Sequence, residues 1–319
     1  MSEIELSIVI PVYCEERNIE ELHEKLIKVL SFLKKKHEII FVDDGSIDKT
    51  FEKLIKIHNK DSSVNIIKLR RNFGKSIALN TAFKYARGNI VITMDGDLQD
   101  DPKEIQRFIK KIEEGYDLIV GWRYPRNDPI TKKIPSKFFN KLTCMLMSIN
   151  LHDINCGFKA YKKVVIDNIS LYGEMHRYIP ALAVWHGFKI TEIKVKHHPR
   201  KYGKSKYGFS RLLKGFLDLI TVKFLTGYVA RPMHVFGIPG IISLLIGFFI
   251  GLYLVILKYW KGVLLIERPL LLLSVLLILL GLQFISIGLL GEMITFREVK
   301  GENVERYIEK MVGDKNGRS

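Results

Sequence analysis

Asn89-Ile-Val-Ile-Thr-Met-Asp-Gly-Asp-Leu-Gln-Asp-Asp-Pro102 decides the fold, because an apolar run passes straight into an acidic turn and then into a helix start. Asn89–Met94 is short, continuous and rich in β-branched residues, as expected of a strand buried on both faces. Asp101 before Pro102, with Glu104 in the next turn, marks a helix boundary. Asp caps exposed N–H groups there, and Pro fits the first helical position. The same alternation repeats outward. Leu6–Tyr13, Glu38–Val42, Val64–Leu69 and Asp117–Gly121 read as strands. Between them, helices are expected after Asn18, after Asp48 and over Lys75–Tyr85. The first has apolar positions at Ile19, Leu22, Leu26, Val29 and Leu33, and Asn18 with Glu21 has capping-box spacing. Strands alternating with helical stretches of about ten residues imply right-handed crossovers and an α/β fold with a mostly parallel, Rossmann-like sheet.

In such sheets ligands sit beyond the carboxyl ends of the strands. Three strands end in acidic or polar clusters: Tyr13-Cys-Glu-Glu16, Asp43-Asp44 and Asp95-Gly-Asp97. Two carboxylates one residue apart at a strand end can both turn to a hard divalent cation, and like charges that close need a counterion. Asp95, Asp97 and Gln99 are therefore expected to ligate Mg²⁺ or Mn²⁺, which share oxygen ligands between carboxylates and substrate phosphates. Asp101 is assigned to the helix cap alone.

Beyond Gly121 a basic segment, Arg123–Lys141, leads to an apolar helical pattern with Leu142, Met145, Leu146 and Ile149. A helical stretch near His176–His186 and a strand over Lys189–His197 follow, then the basic run His197–Tyr207. Residues 209–232 read as an amphipathic segment in the membrane interface.

Hydrophobic residues make up 47% of the 319-residue chain, but unevenly. Val235–Leu257 carries no charge, and Leu270–Leu290 has only Ser274, Gln283 and Ser286 as polar breaks. Each run is long enough to cross a hydrocarbon core of about 30 Å. The expected organisation is a catalytic domain (1–208), the interfacial segment (209–232), a two-helix anchor (233–295, spans near 235–257 and 270–291) and a tail (296–319). The acidic start lacks signal-peptide features, so a multi-pass protein of the cytoplasmic membrane is expected, with its catalytic domain in the cytoplasm. Arg211, Lys214, Lys223 and Arg231 before the first span, and Arg297 and Lys300 after the second, agree with this; Lys258, Lys261 and Arg268 between the spans weaken the contrast. A net charge of +16 beside two spans points to anionic lipid headgroups and phosphorylated substrates, not nucleic acid. Cys14, Cys144 and Cys156 fit neither a disulfide framework nor a metal spacing. Paired spans also suggest a homo-oligomer.

Asp95-Gly-Asp-Leu-Gln-Asp100 resembles the Asp-x-Asp metal motif of family 2 glycosyltransferases, in the form of the polyprenyl-phosphate branch that includes bactoprenol glucosyltransferases and dolichol-phosphate mannose synthases. Further blocks match in order: Ser7–Glu16, Val42–Thr50, Arg71-Asn-Phe-Gly-Lys75, Gly121-Trp-Arg-Tyr124, Asp153-Ile-Asn-Cys-Gly-Phe-Lys159 and Gly203-Lys-Ser-Lys-Tyr207. The resemblance covers nearly the whole chain.

It implies a GT-A catalytic domain that transfers a hexose with inversion from a nucleotide diphosphate sugar, UDP-glucose or GDP-mannose, to a polyprenyl phosphate. On that reading Pro11, Tyr13, Glu15, Asp43, Asp44, Lys75, Asp95 and Gly96 bind the nucleotide sugar, with Asp43 favoured over Asp44 for the ribose or base. Arg123, Ser136, Lys137, Arg200, Lys204, Ser205 and Lys206 bind the acceptor phosphate. Asp97, Arg123 and Asp153 form the catalytic set, and Asp153 either orients the acceptor or sugar, assists proton transfer or fixes its loop. The acceptor is a phosphate monoester with a second pKa of about 6, so it needs orientation more than deprotonation. Cys14, Cys156 and Lys159 depart from the family pattern, which commonly has Asn, a small hydroxyl residue and Arg there. Two rival readings are a transferase acting on a saccharide acceptor and a non-catalytic membrane protein that binds nucleotide sugars.

Overall fold

A computed structural model describes residues 4–124, 140, 143–145, 149–171, 173–199, 201, 232–261, 269–298 and 308–312. Eight strands form one sheet: β1 (Leu6–Val12), β2 (His37–Asp43), β3 (Val64–Leu69), β4 (Ile90–Thr93), β5 (Leu118–Arg123), β6 (Lys159–Lys162), β7 (Ile190–Val195) and β8 (Ile308–Val312), in the order β7-β5-β6-β4-β1-β2-β3-β8. The expected parallel core is present. β1 lies between β2 and β4, parallel to both, and β3 extends the set beyond β2. The chain winds one way through β1, β2 and β3, then returns to place β4 on the other side of β1. The crevice outside this reversal is where open α/β sheets hold ligands.

Helices α1 (Ile19–Leu33), α2 (Thr50–Lys60), α3 (Lys75–Tyr85) and α4 (Ile105–Glu113) make the crossovers. Their faces explain why these segments stay helical. In α1, Leu22, Leu26 and Leu30 are buried in one row; in α4, Ile105, Phe108, Ile109 and Ile112 are. Asp101 caps the turn before α4 as expected, accepting from the Lys103 N–H at 3.0 Å. Asn18 does not cap α1: its side-chain amide instead donates to Glu15 Oε2 at 2.5 Å. At the opposite end of the sheet, Glu38 is buried and accepts from Ser7 Oγ at 2.7 Å and from Arg87 Nη2 at 2.6 Å. This satisfied network anchors β1 and β2 away from the ligand rim.

Two strands fall where none was expected. β6 runs antiparallel between β4 and β5, so the segment read as a loop ending at Lys159 plunges into the sheet. β8, from the segment read only as a tail, pairs antiparallel with the outer edge of β3. Two short helices, α5 (Lys163–Asp167) and α6 (Ile179–Trp185), pack beside the sheet; α6 falls in the helical stretch expected near His176–His186.

The chain divides into two compact units, Met1–Leu219 with Asn303–Ser319, and Ile220–Glu302. Within the second, α7 (Pro232–Lys261) and α8 (Pro269–Glu298) contain stretches long and apolar enough to cross a membrane, Val235–Trp260 and Pro269–Gly291. They pack through small residues. A Cβ on Gly240 would lie 2.9 Å from the Gly281 carbonyl oxygen, and one on Gly247 2.8 Å from that of Ser274. Ser274 Oγ donates to the Gly247 carbonyl at 2.7 Å and Ser243 Oγ to that of Leu277 at 2.8 Å. Close backbone approach is the packing mode available in lipid, and this pair achieves it within one chain.

Candidate active site

The rim at the carboxyl ends of β1, β2 and β4 is built by loops that stitch one another together. After β1, the Cys14 N–H donates to Ser46 Oγ at 2.8 Å and the Glu15 N–H to Thr50 Oγ1 at 2.9 Å, both in the turn after β2. Asp44 accepts from the N–H groups of Phe73 and Gly74 at 2.8 and 2.9 Å, fixing the loop that starts α3. Gly45 has φ +70, and a Cβ there would meet the Arg71 backbone at 2.4 Å, so only glycine fits.

Asp43 is completely buried. Its Oδ1 accepts from the Ser46 N–H at 2.9 Å, while Oδ2 has no hydrogen-bond partner among the described residues. Burial pushes its carboxyl above the usual range. Burial raises Asp44 further, to about 6, against the pull of its two backbone donors. An orphaned carboxylate oxygen is costly unless a ligand donor completes it. Asp43 is thus suited to a ligand N–H or hydroxyl, whereas Asp44 is occupied in holding its loop.

Asp95 leaves β4 and forms an ion pair with Lys75 at the start of α3. It lies deep among protein atoms yet keeps 40% of its side chain exposed, an opening toward solvent. Burial alone would raise its carboxyl; the charges of Lys75, Arg123 and Lys159 outweigh that and hold it low. Asp97 is buried and accepts from the Gln99 N–H at 3.2 Å. Gly96 separates them with its Cα against β1, since a Cβ would come within 2.7 Å of Val12 Cγ1.

Asp100 also belongs to this cluster, although the acidic run gave no reason to single it out. It is buried, accepts from the Asp95 N–H at 3.1 Å, and is pushed up to about 7 by burial and by the Asp95 and Asp97 charges. Gln99, expected as a metal ligand through its side-chain oxygen, also has a structural tie through its amide nitrogen. Its side-chain Nε2 donates to the His198 carbonyl at 3.2 Å, while the His198 N–H donates to the Gln99 carbonyl at 2.9 Å. The acidic turn is therefore tied to the segment entering the basic run.

Arg123, at the end of β5, donates through Nε and Nη2 to the two oxygens of Asp153, at 2.6 and 2.9 Å. Burial would lower this guanidinium; the Asp153 pair overrides it and keeps it fully charged. Asp153 therefore has both oxygens engaged by a cation. The loop it begins closes on Asp95: Thr93 Oγ1 donates to the Gly157 carbonyl at 2.8 Å, and a Cβ on Gly157 would sit 2.7 Å from either Asp95 oxygen. Lys159 lies beneath, buried, its ammonium bonded to the Cys156 carbonyl and lowered by burial to about 8. Burial likewise raises the Cys156 thiol to about 12.

Asp43, Asp44, Lys75, Asp95, Gly96, Asp97, Arg123 and Asp153 thus converge, with Pro11, Tyr13 and Glu15 on the β1 side of the rim. Ser136, Lys137, Arg200, Lys204, Ser205 and Lys206 lie outside the described residues, as does nearly all of the interfacial segment. Among the described residues, no three His, Cys, Asp or Glu side chains form a cation cage. The donor set still fits a hard cation that takes most ligands from a substrate. Two carboxylates are in place, one partly open, and their crowding raises Asp100.

This sheet with an acidic β4 turn defines a GT-A glycosyltransferase fold. Residues 7–170 match the family described as Glycosyl transferase family 2, and the chain belongs to it. Over 316 residues it is 38% identical to dodecaprenyl-phosphate galacturonate synthase of Rhizobium johnstonii, covering 98% of this chain and 94% of that protein. It is 34% identical over 314 residues to undecaprenyl-phosphate 4-deoxy-4-formamido-L-arabinose transferase of Proteus mirabilis, with 97% and 94% covered. Among solved structures, glucosyl-3-phosphoglycerate synthase from Mycobacterium tuberculosis with Mn²⁺, UDP and glucosyl-3-phosphoglycerate superposes with a TM-score of 0.54 at 16% identity, covering 70% of this chain and 80% of that one. That likeness is one of fold.

Proposed function

We propose that this membrane enzyme transfers a sugar, with inversion, from a nucleoside diphosphate to a polyprenyl phosphate at the cytoplasmic membrane face. The observation that carries the reading is the pairing on one rim of a partly open carboxylate, Asp95, with a half-buried guanidinium held by Asp153. The first suits a cation-bridged pyrophosphate and the second a phosphate monoester. Two relatives named for polyprenyl phosphates, similar along almost the whole chain, support the acceptor class. They are named for galacturonate and 4-deoxy-4-formamido-L-arabinose, so the expected glucose or mannose donor has no support from them.

Asp43 Oδ2 would accept from the base or ribose of the donor. Asp95 and Asp97 would hold Mg²⁺ or Mn²⁺, which when bound offsets the charge growing on the leaving β-phosphate. Lys75, now on Asp95, is placed to follow that charge. Asp153 takes two of the five N–H donors of Arg123, which leaves up to three for the acceptor's oxygens. Asp153 then acts as an orienting residue, since the ionised acceptor attacks without a base.

Purified enzyme with Mn²⁺ or Mg²⁺ should transfer labelled sugar to undecaprenyl phosphate from one of UDP-galacturonate, UDP-4-deoxy-4-formamido-L-arabinose, UDP-glucose or GDP-mannose. Lipid extraction and mass spectrometry would identify the product. Transfer only to free saccharides overturns the lipid acceptor, and undiminished transfer by Asp97→Ala overturns the metal assignment.

A further inference from the structure

His152 and Asp153 grip β5 from its two faces. Successive strand residues point to opposite faces, so Trp122 projects away from the side that carries Arg123. Asp153 takes Arg123. His152, one residue earlier, stacks on Trp122 with ring centroids 4.0 Å apart and planes 10° from parallel. Glu192 on β7 holds the same residue twice: Oε2 accepts the His152 N–H at 2.7 Å and Oε1 bonds its ring Nδ1. Lys194, opposite Trp122 in the β5–β7 register, covers that ring at 5.0 Å and the Tyr124 ring at 4.9 Å. Asn140 closes the turn from the other side. Its Nδ2 donates to the His152 carbonyl at 2.9 Å and its Oδ1 accepts from the Ile154 N–H at 3.0 Å.

These contacts exceed what a surface histidine needs. The ring stays partly exposed, but it is stacked on an indole and bonded to a carboxylate, the backbone on either side is bonded to Glu192 and Asn140, and the residue so held immediately precedes Asp153. We propose that His152 is a positioning residue of the acceptor site. Wedged between Trp122 and Glu192, it sets Asp153 against Arg123 and thereby fixes how the guanidinium faces the acceptor phosphate. The inference rests on the reading of Arg123 as the acceptor-phosphate ligand. It adds a residue that does not touch substrate and that motif spacing does not reveal.

The test uses the full-length enzyme in detergent, with transfer kinetics and, independently of turnover, direct calorimetric binding of farnesyl phosphate. In His152→Ala both the KM for undecaprenyl phosphate and the farnesyl phosphate Kd should rise about tenfold, the scale of a displacement below 1 Å. Donor KM and UDP affinity should stay within about twofold. His152→Phe keeps the stack and should recover most of the loss. In an Asp153→Asn background, His152→Ala should add almost nothing, because both changes act through one pair. Equal weakening of donor and acceptor, or full additivity with Asp153→Asn, would overturn the positioning role in favour of a merely structural one. If the wild type transfers no sugar yet binds farnesyl phosphate in a His152-dependent way, the functional reading fails and the positioning role stands. If it transfers normally and His152→Ala leaves acceptor KM unchanged, the positioning role alone fails.

Discussion

Gly157→Ala separates the site from the fold more cleanly than any charge removal. The added Cβ would lie 2.7 Å from both Asp95 oxygens and 2.9 Å from its Cγ, whereas ordinary contact begins near 3.4 Å. Asp95 must therefore retreat by about 0.7 Å or turn away. The fold should tolerate this, because the obstructing atoms are the end of a side chain and Gly157 has no left-handed backbone to lose. Replacing a glycine at a compatible position even stabilises by roughly 0.4–1 kcal/mol through the unfolded chain. Function should not tolerate it: displacement on this scale at a reacting centre costs from about tenfold to 10²-fold. Electron paramagnetic resonance titration of Mn²⁺ with UDP should show affinity weakened about tenfold or more, with transfer falling in step and Tm within a few degrees of wild type. Gly88→Ala is the contrasting control. Its Cβ would meet the Ser7 backbone nitrogen at 2.6 Å, so it should lower Tm. Wild-type Mn²⁺–UDP affinity in Gly157→Ala would refute the placement of Asp95 as a ligand pressed by that loop.

Three further outcomes are expected. Asp153→Asn leaves the half-buried Arg123 without its counter-charge and with one bond fewer; thermal denaturation should show a lower Tm, and acceptor KM should rise more than donor KM. Burial holds Asp44 at about 6. Between the ordinary carboxylate range and pH 6 the folded chain therefore keeps a proton the unfolded chain has lost, and stability falls as pH rises through that window; a Tm series from pH 4.5 to 6.5 should slope down in wild type and less steeply in Asp44→Asn, where the raised Asp43 and Asp100 keep part of the slope. Because β8 pairs with β3 after both apolar helices, the two ends of the helix pair should lie on one side of the membrane; epitope tags at Met1 and Ser319 should be exposed together in inside-out vesicles, and protection of one alone would contradict the pairing.

How much of this was legible in the sequence follows from the range of each interaction. The parallel core, the acidic rim and both apolar helices depend on local pattern, and the boundaries of β1 to β5 and α3 fall within a few residues of those read from periodicity. Asp95, Asp97 and Asp43 could be placed on one rim from the sequence because they follow or end parallel strands of the sheet. β6 and β8 were missed for a shared reason. Each is four or five residues long and joins the sheet only by pairing with a strand distant in the chain, so no local signal distinguishes it from loop. Asp100 and Lys159 were legible as charges but not as buried ones, since burial is set by β6 and the Asp153–Lys159 loop folding over β4. Gln99 was legible as a candidate ligand oxygen, while the tie its amide nitrogen makes to a segment 99 residues away was not.

These long-range ties fall at the places where the proposed chemistry needs fixed charge. A pyrophosphate and a phosphate monoester brought to one rim repel each other, and the site opposes that repulsion with Lys75, Arg123 and buried Lys159 around Asp95. Cations so placed help only if they are held, because a mobile lysine or arginine would follow whichever phosphate arrived first. Arg123 is held by Asp153, Lys159 by the Cys156 carbonyl, and Lys75 by Asp95. Of the three, only Lys75 pairs with a carboxylate of the proposed metal pair. It is therefore the one cation whose position should change when a divalent ion claims Asp95, while Arg123 and Lys159 keep their places. On the proposed reading, Lys75 would be the cation that responds to the donor, while Arg123 would keep its place for the acceptor, as suits a transfer needing orientation rather than a base.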